Sequence, residues 1–341
     1  MVIHDLLLKV VVLGALLVPF HNYKAEADDL MTKPGCRSSC GHLVIPYPFG
    51  SSDSSSDCRI DRPSFIVYCD DSVDPPVPYL TDKSINLQIR DIFVESHEMR
   101  LIFWTGQDCY NSSGYDRSLS NYPWISLPEF PFSSTKNKFT AVGCDTLAAF
   151  QDRLGRFSFG CMSLCSSDLD VINGSCSGIG CCETSIPRNT FNYNISIMSF
   201  SNHSNILDFN PCSYAFVAEI GSYNFSVGDI KQLKFKDPPL VVDWAIGNQT
   251  CEEAKKNSTS YMCKKNTNCT DAENGFGYKC VCLQGYQGNP YLENGCYDID
   301  ECADPTLNQC EVKCLNIEGS YAQRVITVMV RRVMEMDKDA L

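Results

Sequence analysis

Carboxylates and an amide stand close to the last cysteines of the sequence. The run DIDEC (Asp298–Cys302) places acidic side chains directly before a cysteine, and CLNIEGSY (Cys314–Tyr321) adds an asparagine, a serine and a glycine. Carboxylate, amide and carbonyl oxygens are the ligands that Ca²⁺ prefers in proteins. The side chains are therefore of the kind that can hold a hard cation, and the alternative interpretation is an acidic linker between two modules.

Catalytic chemistry has few candidate residues. Beyond residue 27 the histidines are His42, His97 and His203, and the sequence has no H-E-x-x-H, no G-x-S-x-G and no protein-kinase motif. A pair of carboxylates would suffice for a glycosidase, so a hydrolase stays open, although no motif favours one. We therefore predict that this chain binds a ligand and is not an enzyme.

The N-terminal residues predict export from the cell. Residues 1–27 are typical of a signal peptide, because an apolar run too short for a membrane span (Val10–Phe20) precedes small residues at Ala25 and Ala27. Twenty-one cysteines predict disulfides outside the cell, and their odd number leaves at least one unpaired. A net charge of −13 argues against nucleic-acid partners. Eight sequons predict exposed N-glycans, at Asn111, Asn173, Asn194, Asn202, Asn224, Asn248, Asn257 and Asn268.

Cysteine spacing divides the chain into two regions. From Cys36 to Cys212, twelve spread cysteines alternate with short β-branched and aromatic runs that predict strands. From Cys251 to Cys296, six cysteines fall within 46 residues, and Cys302 begins the same pattern again. The predicted fold is mainly β, disulfide-rich and modular, with a cysteine-stapled β-rich region followed by small modules.

The six-cysteine cluster resembles an epidermal-growth-factor-like (EGF-like) module, because one residue separates its fourth and fifth cysteines and an aromatic-Gly turn precedes the sixth. The second copy resembles the calcium-binding variant of that module. These resemblances imply the disulfides Cys251–Cys269, Cys263–Cys280, Cys282–Cys296 and Cys302–Cys314. They also imply Ca²⁺ ligands from the side chains of Asp298, Glu301 and Asn316 and from the carbonyls of Ile299, Ile317 and Ser320.

Four longer motifs carry a wider resemblance. They are CRSSCGHLVIPYPFG (Cys36–Gly50), FTAVGCD (Phe139–Asp145), GSCSGIGCCETSIP (Gly174–Pro187) and CSYAFV (Cys212–Val217). With them the chain resembles the ectodomain of plant wall-associated receptor kinases, over about residues 36 to 321. In the third motif, the adjacent Cys181 and Cys182 are expected to bridge to different partners.

The resemblance implies a modular organisation and a function. It implies a galacturonan-binding module at 28–110, a wall-associated-kinase cysteine-rich module at 111–248, an EGF-like module at 249–297 and an incomplete calcium-binding EGF-like module at 298–321. The implied function is extracellular, non-catalytic binding of cell-wall pectin and oligogalacturonides. In the full-length family a transmembrane helix and a Ser/Thr kinase domain follow, which would place the whole protein at the plasma membrane.

A pectin-binding surface needs cations and aromatic faces, because polygalacturonate is a polyanion built of sugar rings. An acidic chain can supply this only through a local basic patch or bridging Ca²⁺. In the alternative interpretation, IPYPFG fixes a rigid turn and the tryptophans belong to the core. The candidate contacts are Arg37, Tyr47, Arg59, Arg62 and Trp104, with Lys33, Arg90, Arg100 and Trp124 near them in the sequence.

The last twenty residues, 322–341, fit no module. Back-translation in a shifted frame forces glycine across Met329-Val330, Met334-Glu335 and Met336-Asp337, at spacings typical of the end of an EGF-like module. We therefore expect this tail to be frame-shifted, which would leave Cys310 without its partner; an amphipathic tail is the alternative.

Two alternatives to the implied function stay open. In the first, the sequence is an incomplete gene model of a membrane-bound Ser/Thr receptor kinase that acts in cell-surface signalling. In the second, the chain is a secreted decoy or defence protein that binds extracellular proteins.

Overall fold

The structure is a computed structural model that describes residues 31–80, 87–152, 157–308, 310 and 313–324. The predicted signal peptide at 1–27 and residues 325–341 of the predicted tail lie outside the described residues. Among the described residues, strands dominate and helices have at most five residues. The prediction of a mainly β, disulfide-rich fold is confirmed.

Nine strands lie between residues 39 and 115, separated by turns rich in Ser, Asp and Pro. Short 3₁₀ helices at Ser56–Cys58 and Pro63–Phe65 connect β3 to β4. The strands are β1 (Ser39–Cys40), β2 (Leu43–Val44), β3 (Gly50–Ser51), β4 (Ile66–Asp70), β5 (Val77–Tyr79), β6 (Gln88–Phe93), β7 (Glu98–Ile102), β8 (Gly106–Asn111) and β9 (Gly114–Tyr115).

Eight further strands lie between residues 124 and 243, with a 3₁₀ helix at Asp168–Asp170 and helix α1 at Val227–Lys231. A capping box of Ser226 and Asp229 satisfies the free N–H groups at the start of α1. The strands are β10 (Trp124–Ser126), β11 (Asn137–Val142), β12 (Asp145–Gln151), β13 (Ser158–Leu164), β14 (Cys181–Ser185), β15 (Asn192–Met198), β16 (Cys212–Glu219) and β17 (Pro239–Asp243).

These strands form three larger sheets, with the orders β17-β7-β6-β5-β4-β3, β14-β11-β16-β8-β9 and β10-β15-β12-β13. Strand β17 pairs antiparallel with β7, so that Leu240 lies opposite Leu101. The sheet of the predicted galacturonan-binding module is therefore completed by a strand from the predicted cysteine-rich module. We call residues 31–248 the N-terminal body for this reason.

The main core of the N-terminal body is aromatic. Phe49 lies 4.7 Å from Phe65 and 5.3 Å from Trp244, measured between ring centroids, and all three side chains are almost fully buried. Each fully buried side chain of this kind stabilises the fold by about 1.5–3 kcal/mol. A smaller second core surrounds Phe216 and Ile230.

Ten disulfides connect the described cysteines, and Cys310 is free. Cys181 and Cys182 do bridge to different partners, as predicted. In the N-terminal body the pairs are Cys36–Cys58, Cys40–Cys69, Cys109–Cys212, Cys144–Cys165, Cys161–Cys182 and Cys176–Cys181. The others are Cys251–Cys269, Cys263–Cys280, Cys282–Cys296 and Cys302–Cys314, the same pairs that the EGF resemblance implies.

The first EGF-like module (residues 249–297) begins with helix α2 and continues with two small hairpins. The described residues of the second EGF-like fragment (residues 298–324) form a single hairpin, which continues three residues into the segment assigned to the tail. The elements are α2 (Cys251–Lys255), β18 (Thr267–Asp271), β19 (Tyr278–Cys282), β20 (Tyr286–Gly288), β21 (Cys296–Asp298), β22 (Lys313–Ile317) and β23 (Ser320–Arg324).

Candidate functional site

Arg37, a predicted sugar contact, is engaged within the protein. Its guanidinium pairs with Asp53 at 2.8 Å and with Asp71 at 2.6 Å, and it also donates to the Ser39 carbonyl at 3.0 Å. The hydrogen bond to Asp71, and then that to Asp53, raise the pKa of Arg37 against the opposing effect of burial. This cation therefore ties the segment before β1 to two later turns.

The other predicted arginines also have internal partners. Arg62 pairs with Glu129 at 3.1 Å, and Arg100 makes a bidentate pair with Glu219 in which both N–O distances are 2.7 Å. The remaining partners are Asp91 for Arg90, at 3.9 Å, and the carbonyls of Ser51, Ser54 and Ser55 for Arg59. Most cations of the predicted basic patch therefore pair with carboxylates of the protein or donate hydrogen bonds to its backbone carbonyls.

The predicted aromatic contacts differ in exposure. Tyr47 is 6% exposed, and burial raises the pKa of its hydroxyl, so IPYPFG is mainly part of the core. Trp104 is 36% and Trp124 is 60% exposed, so neither belongs to the buried core. Lys33 lies against the Tyr47 ring, with its Nζ atom 4.3 Å from the ring centroid, a distance at which cation–π attraction is effective.

The first EGF-like module docks on the N-terminal body through Asn289 and Tyr291, which are 0% and 1% exposed. Asn289 Nδ2 donates to the carbonyl of Met31 at 2.9 Å and to that of Tyr47 at 2.6 Å. The Tyr291 hydroxyl lies 2.7 Å from Nε2 of His97. The module is therefore fixed to the body by buried hydrogen bonds as well as by the chain itself.

A cavity of about 450 Å³ opens beside this contact, and we call it the junction cleft. The N-terminal body contributes Lys33 and Tyr47 to its lining, and the first EGF-like module contributes Met262, Lys264, Tyr291 and Glu293. Lysine side chains on apolar and aromatic walls suit an anionic ligand that also has an apolar face. Sequence reasoning missed Lys264, Glu293 and Tyr291, because no local motif indicates that they reach Lys33.

Two of the predicted calcium ligands, Asp298 and Asn316, are in contact in the second EGF-like fragment. Asp298 accepts hydrogen bonds from Asn316 Nδ2 at 2.8 Å and from the Gly319 N–H group at 2.5 Å. Glu301 Oε2 is buried without a hydrogen-bond partner. A buried carboxylate oxygen of this kind is costly unless a cation binds it, so the donor set fits Ca²⁺.

The residues whose carbonyls are predicted to bind Ca²⁺ lie near these side chains in the sequence. Ile299 precedes Glu301, while Ile317 and Ser320 are the facing residues at the turn between β22 and β23. Only two of the six predicted ligands are carboxylates, and the described residues contain no group of three or more His, Cys, Asp or Glu side chains suited to a metal.

Two of the three histidines beyond residue 27 are buried. His203 is 0% exposed; its Nε2 atom lies 3.1 Å from the Ser213 hydroxyl and its Nδ1 atom 2.6 Å from the Asn210 carbonyl. This arrangement resembles part of a hydrolytic triad, but a substrate cannot reach a buried serine. His97 is 1% exposed, and burial, followed by the charge of Lys279, lowers its pKa to about 3.

The asparagines of all eight sequons are exposed, which is the placement that N-glycans need. Asn194 lies directly opposite the exposed Trp124, in the pairing of β15 with β10. Within the described residues, no helix combines the length and the hydrophobicity that a membrane crossing requires.

Comparison with known proteins agrees with the family resemblance. Residues 36–102 match the family described as wall-associated receptor kinase galacturonan-binding. Wall-associated receptor kinase 5 of Arabidopsis thaliana is 37% identical over 84% of this chain and 38% of its own length, and wall-associated receptor kinase 2 is 34% identical over 84% of this chain and 37% of its own length.

The chain therefore spans less than two fifths of these relatives. No solved structure matches it. Over residues 36–102 and the region that follows, this chain is similar to the wall-associated receptor kinases.

Proposed function

We propose that the chain binds cell-wall pectin outside the cell, without catalysing a reaction, and carries a calcium-binding EGF-like element. The observation that carries this proposal is the match of residues 36–102 to a galacturonan-binding family. Accessible cations and aromatic side chains support it, since Lys33 and Trp104 lie just outside the two ends of the matched segment. The burial of His97 and His203 also favours binding over catalysis.

Calcium would bind at the start of the second EGF-like fragment. Asp298, Glu301 and Asn316 would hold it by side-chain oxygens, and Ile299, Ile317 and Ser320 by carbonyl oxygens. The bound ion would neutralise the buried Glu301 carboxylate and fix the fragment relative to the first EGF-like module. Support comes from the unpartnered Glu301 oxygen and from the hydrogen bonds that already join Asp298 to the β22–β23 turn.

A second candidate function is recognition of pectin by this chain as the extracellular part of a membrane receptor kinase. It is favoured by the relatives, which are receptor kinases by name and extend well beyond the length that this chain matches. Sequencing the transcript distinguishes the two candidates, because a membrane helix and kinase motifs in a continuing frame would support the receptor.

The test of pectin binding is retention of the full secreted chain on de-esterified pectin, with fully methyl-esterified pectin as the neutral control. We expect retention on the charged polymer alone, reduced but not abolished by a calcium chelator, because the lysines need no metal. Glu301→Gln should reproduce the chelator effect, whereas Asp304→Asn, a half-buried acid of the same fragment outside the predicted ligand set, should not. No retention in either buffer would contradict pectin binding.

A further inference from the structure

The junction cleft is a preformed cavity at the contact of two modules. Asn289 and Tyr291 hold its two sides together through buried hydrogen bonds, so its shape does not depend on a flexible linker. Its volume of about 450 Å³ lies within the range of small-ligand sites. A cavity of that size has room for roughly two sugar rings.

The cleft also holds accessible cations in an otherwise acidic chain. Lys33 Nζ donates to the Asp57 carbonyl at 2.8 Å, and no ion pair links it to a carboxylate of the described residues. Lys264 Nζ pairs with Glu293 Oε1 at 2.7 Å, but the Glu293 side chain is 80% exposed. An exposed pair of this kind contributes little to stability, so a ligand carboxylate can replace Glu293 at small cost.

The predicted arginines offer a contrast. The carboxylate that pairs with Arg100 is 21% exposed, and it is held by two hydrogen bonds of 2.7 Å. Arg37 is held by two carboxylates at once. Displacing these partners would break tertiary contacts of the N-terminal body, whereas displacing Glu293 breaks only a rim contact. Lys33 and Lys264 can therefore bind an outside anion at a smaller structural cost than Arg37 and Arg100 can.

The accessible apolar lining of the cleft is aliphatic. Met262 and Leu292 are partly exposed there and Pro34 is exposed, whereas Tyr47 and Tyr291 are almost fully buried. The apolar C–H face of a pyranose ring packs on such surfaces, while its carboxylate turns toward a cation. The lining therefore combines the two requirements of a uronate sugar in one place.

We propose that the junction cleft binds one short segment of galacturonan, with Lys33 and Lys264 binding its carboxylates and the apolar lining around Met262 packing on its rings. This rests on the proposed pectin-binding function and adds to it a site that needs both modules. Glu293 acts there as an internal competitor, since it occupies Lys264 until a ligand carboxylate replaces it.

The test measures binding of digalacturonate to the full secreted chain by calorimetry, with neutral galactobiose as the sugar control. Lys33→Gln and Lys264→Gln should each weaken binding about tenfold, since each removes a charge-assisted hydrogen bond. Glu293→Gln should strengthen binding roughly threefold, because it removes the competing carboxylate. The controls are Lys138→Gln and Glu183→Gln, which change a half-buried pair of the same 2.7 Å length outside the cleft and should leave the affinity unchanged.

Retention on polygalacturonate, measured in parallel, separates the two proposals. A chain that is retained, but whose lysine variants bind digalacturonate as the wild type does, overturns the cleft assignment and leaves pectin binding intact. Weaker binding after Glu293→Gln would likewise overturn it. A wild-type chain that neither binds digalacturonate nor is retained overturns both proposals. Unchanged thermal melting of each variant shows that its fold is preserved.

Discussion

The two EGF-like units begin with the same cysteine pattern and differ in what surrounds them. In the first module Cys280 is fully buried, Tyr278 is 3% exposed and Tyr291 is 1% exposed. In the second fragment Leu315 is 53% and Ile317 is 45% exposed, although each lies in a paired strand. The same type of hairpin is thus part of a core in one unit and surrounded by solvent in the other.

The difference shows where a small disulfide-rich module obtains its stability. About 50 residues cannot bury enough apolar area alone, so disulfides or a neighbouring domain must supply the rest. The first module uses both, because its aromatic side chains join Trp244 in the core of the N-terminal body. The second fragment has one described disulfide, Cys302–Cys314, and few buried side chains.

Replacement of Tyr291, which docks the first EGF-like module, should lower the free energy of unfolding more than the other changes considered. Tyr291→Ala deletes a buried aromatic ring and the hydroxyl that contacts His97, so we expect the free energy of unfolding to fall by about 3–5 kcal/mol. Leu315→Ala in the second fragment should change it by no more than about 0.5 kcal/mol. Chemical denaturation of the secreted chain measures both. Equal losses for the two variants would mean that the first module is not docked in solution.

A pH titration should affect the contact between the N-terminal body and the first EGF-like module, because His97 of the body lies 2.7 Å from the Tyr291 hydroxyl. The second fragment contains no histidine and should be unaffected between about pH 5 and 7. The pKa of His97 is lowered from 6.5 to about 3. As pH falls below 6.5, His97 therefore binds a proton in the unfolded chain but not in the folded chain. Stability from this group is complete above that value and declines on acidification, with a slope that approaches about 1.4 kcal/mol per pH unit near pH 5.

The comparison with His97→Gln between about pH 5 and 7 isolates this contribution, because carboxylates titrate mainly below that range. The variant should lose most of the slope, while His42→Gln, which changes an exposed histidine, should keep it. The same slope in wild type and His97→Gln would show that His97 is not buried as a neutral ring.

The smallest effect on stability should come from opening the disulfide of the second fragment. Cys302 and Cys314 are partly exposed, whereas Cys263 and Cys280 are buried, so mild reduction and alkylation should label the first pair earlier. The melting temperature of the N-terminal body should stay unchanged at that stage. Peptide mapping measures the order of labelling, and simultaneous labelling of both pairs would contradict the contrast between the units.

Much of the fold could be predicted from the local spacing of cysteines and apolar residues in the sequence. The β-rich runs and cysteine counts predicted a mainly β, disulfide-rich chain, and the spacing of the last nine cysteines resembled a module whose pairing the structure also has. These features were accessible because each depends on residues within a few dozen positions of one another. The calcium ligands stay a prediction of the same kind.

The sugar contacts were harder to predict, because charges are neutralised across long distances in the sequence. Asp71 lies 34 residues from Arg37, Glu129 lies 67 residues from Arg62, and Glu219 lies 119 residues from Arg100. A list of basic residues near a motif does not contain those partners. The junction cleft is hidden for the same reason, since its lysines lie at positions 33 and 264.

The hydrogen bonds of Asn289 also bear on how the chain is made. They reach back 258 residues to Met31 and 242 residues to Tyr47. At translation rates of about 5–20 residues per second, the first of these residues waits on the order of tens of seconds for its partner to be synthesised. During that time the edge of the N-terminal body beside Tyr47 is unfinished and exposes polar backbone and an aromatic side chain. Chaperones should therefore hold this edge until the first EGF-like module has been translated.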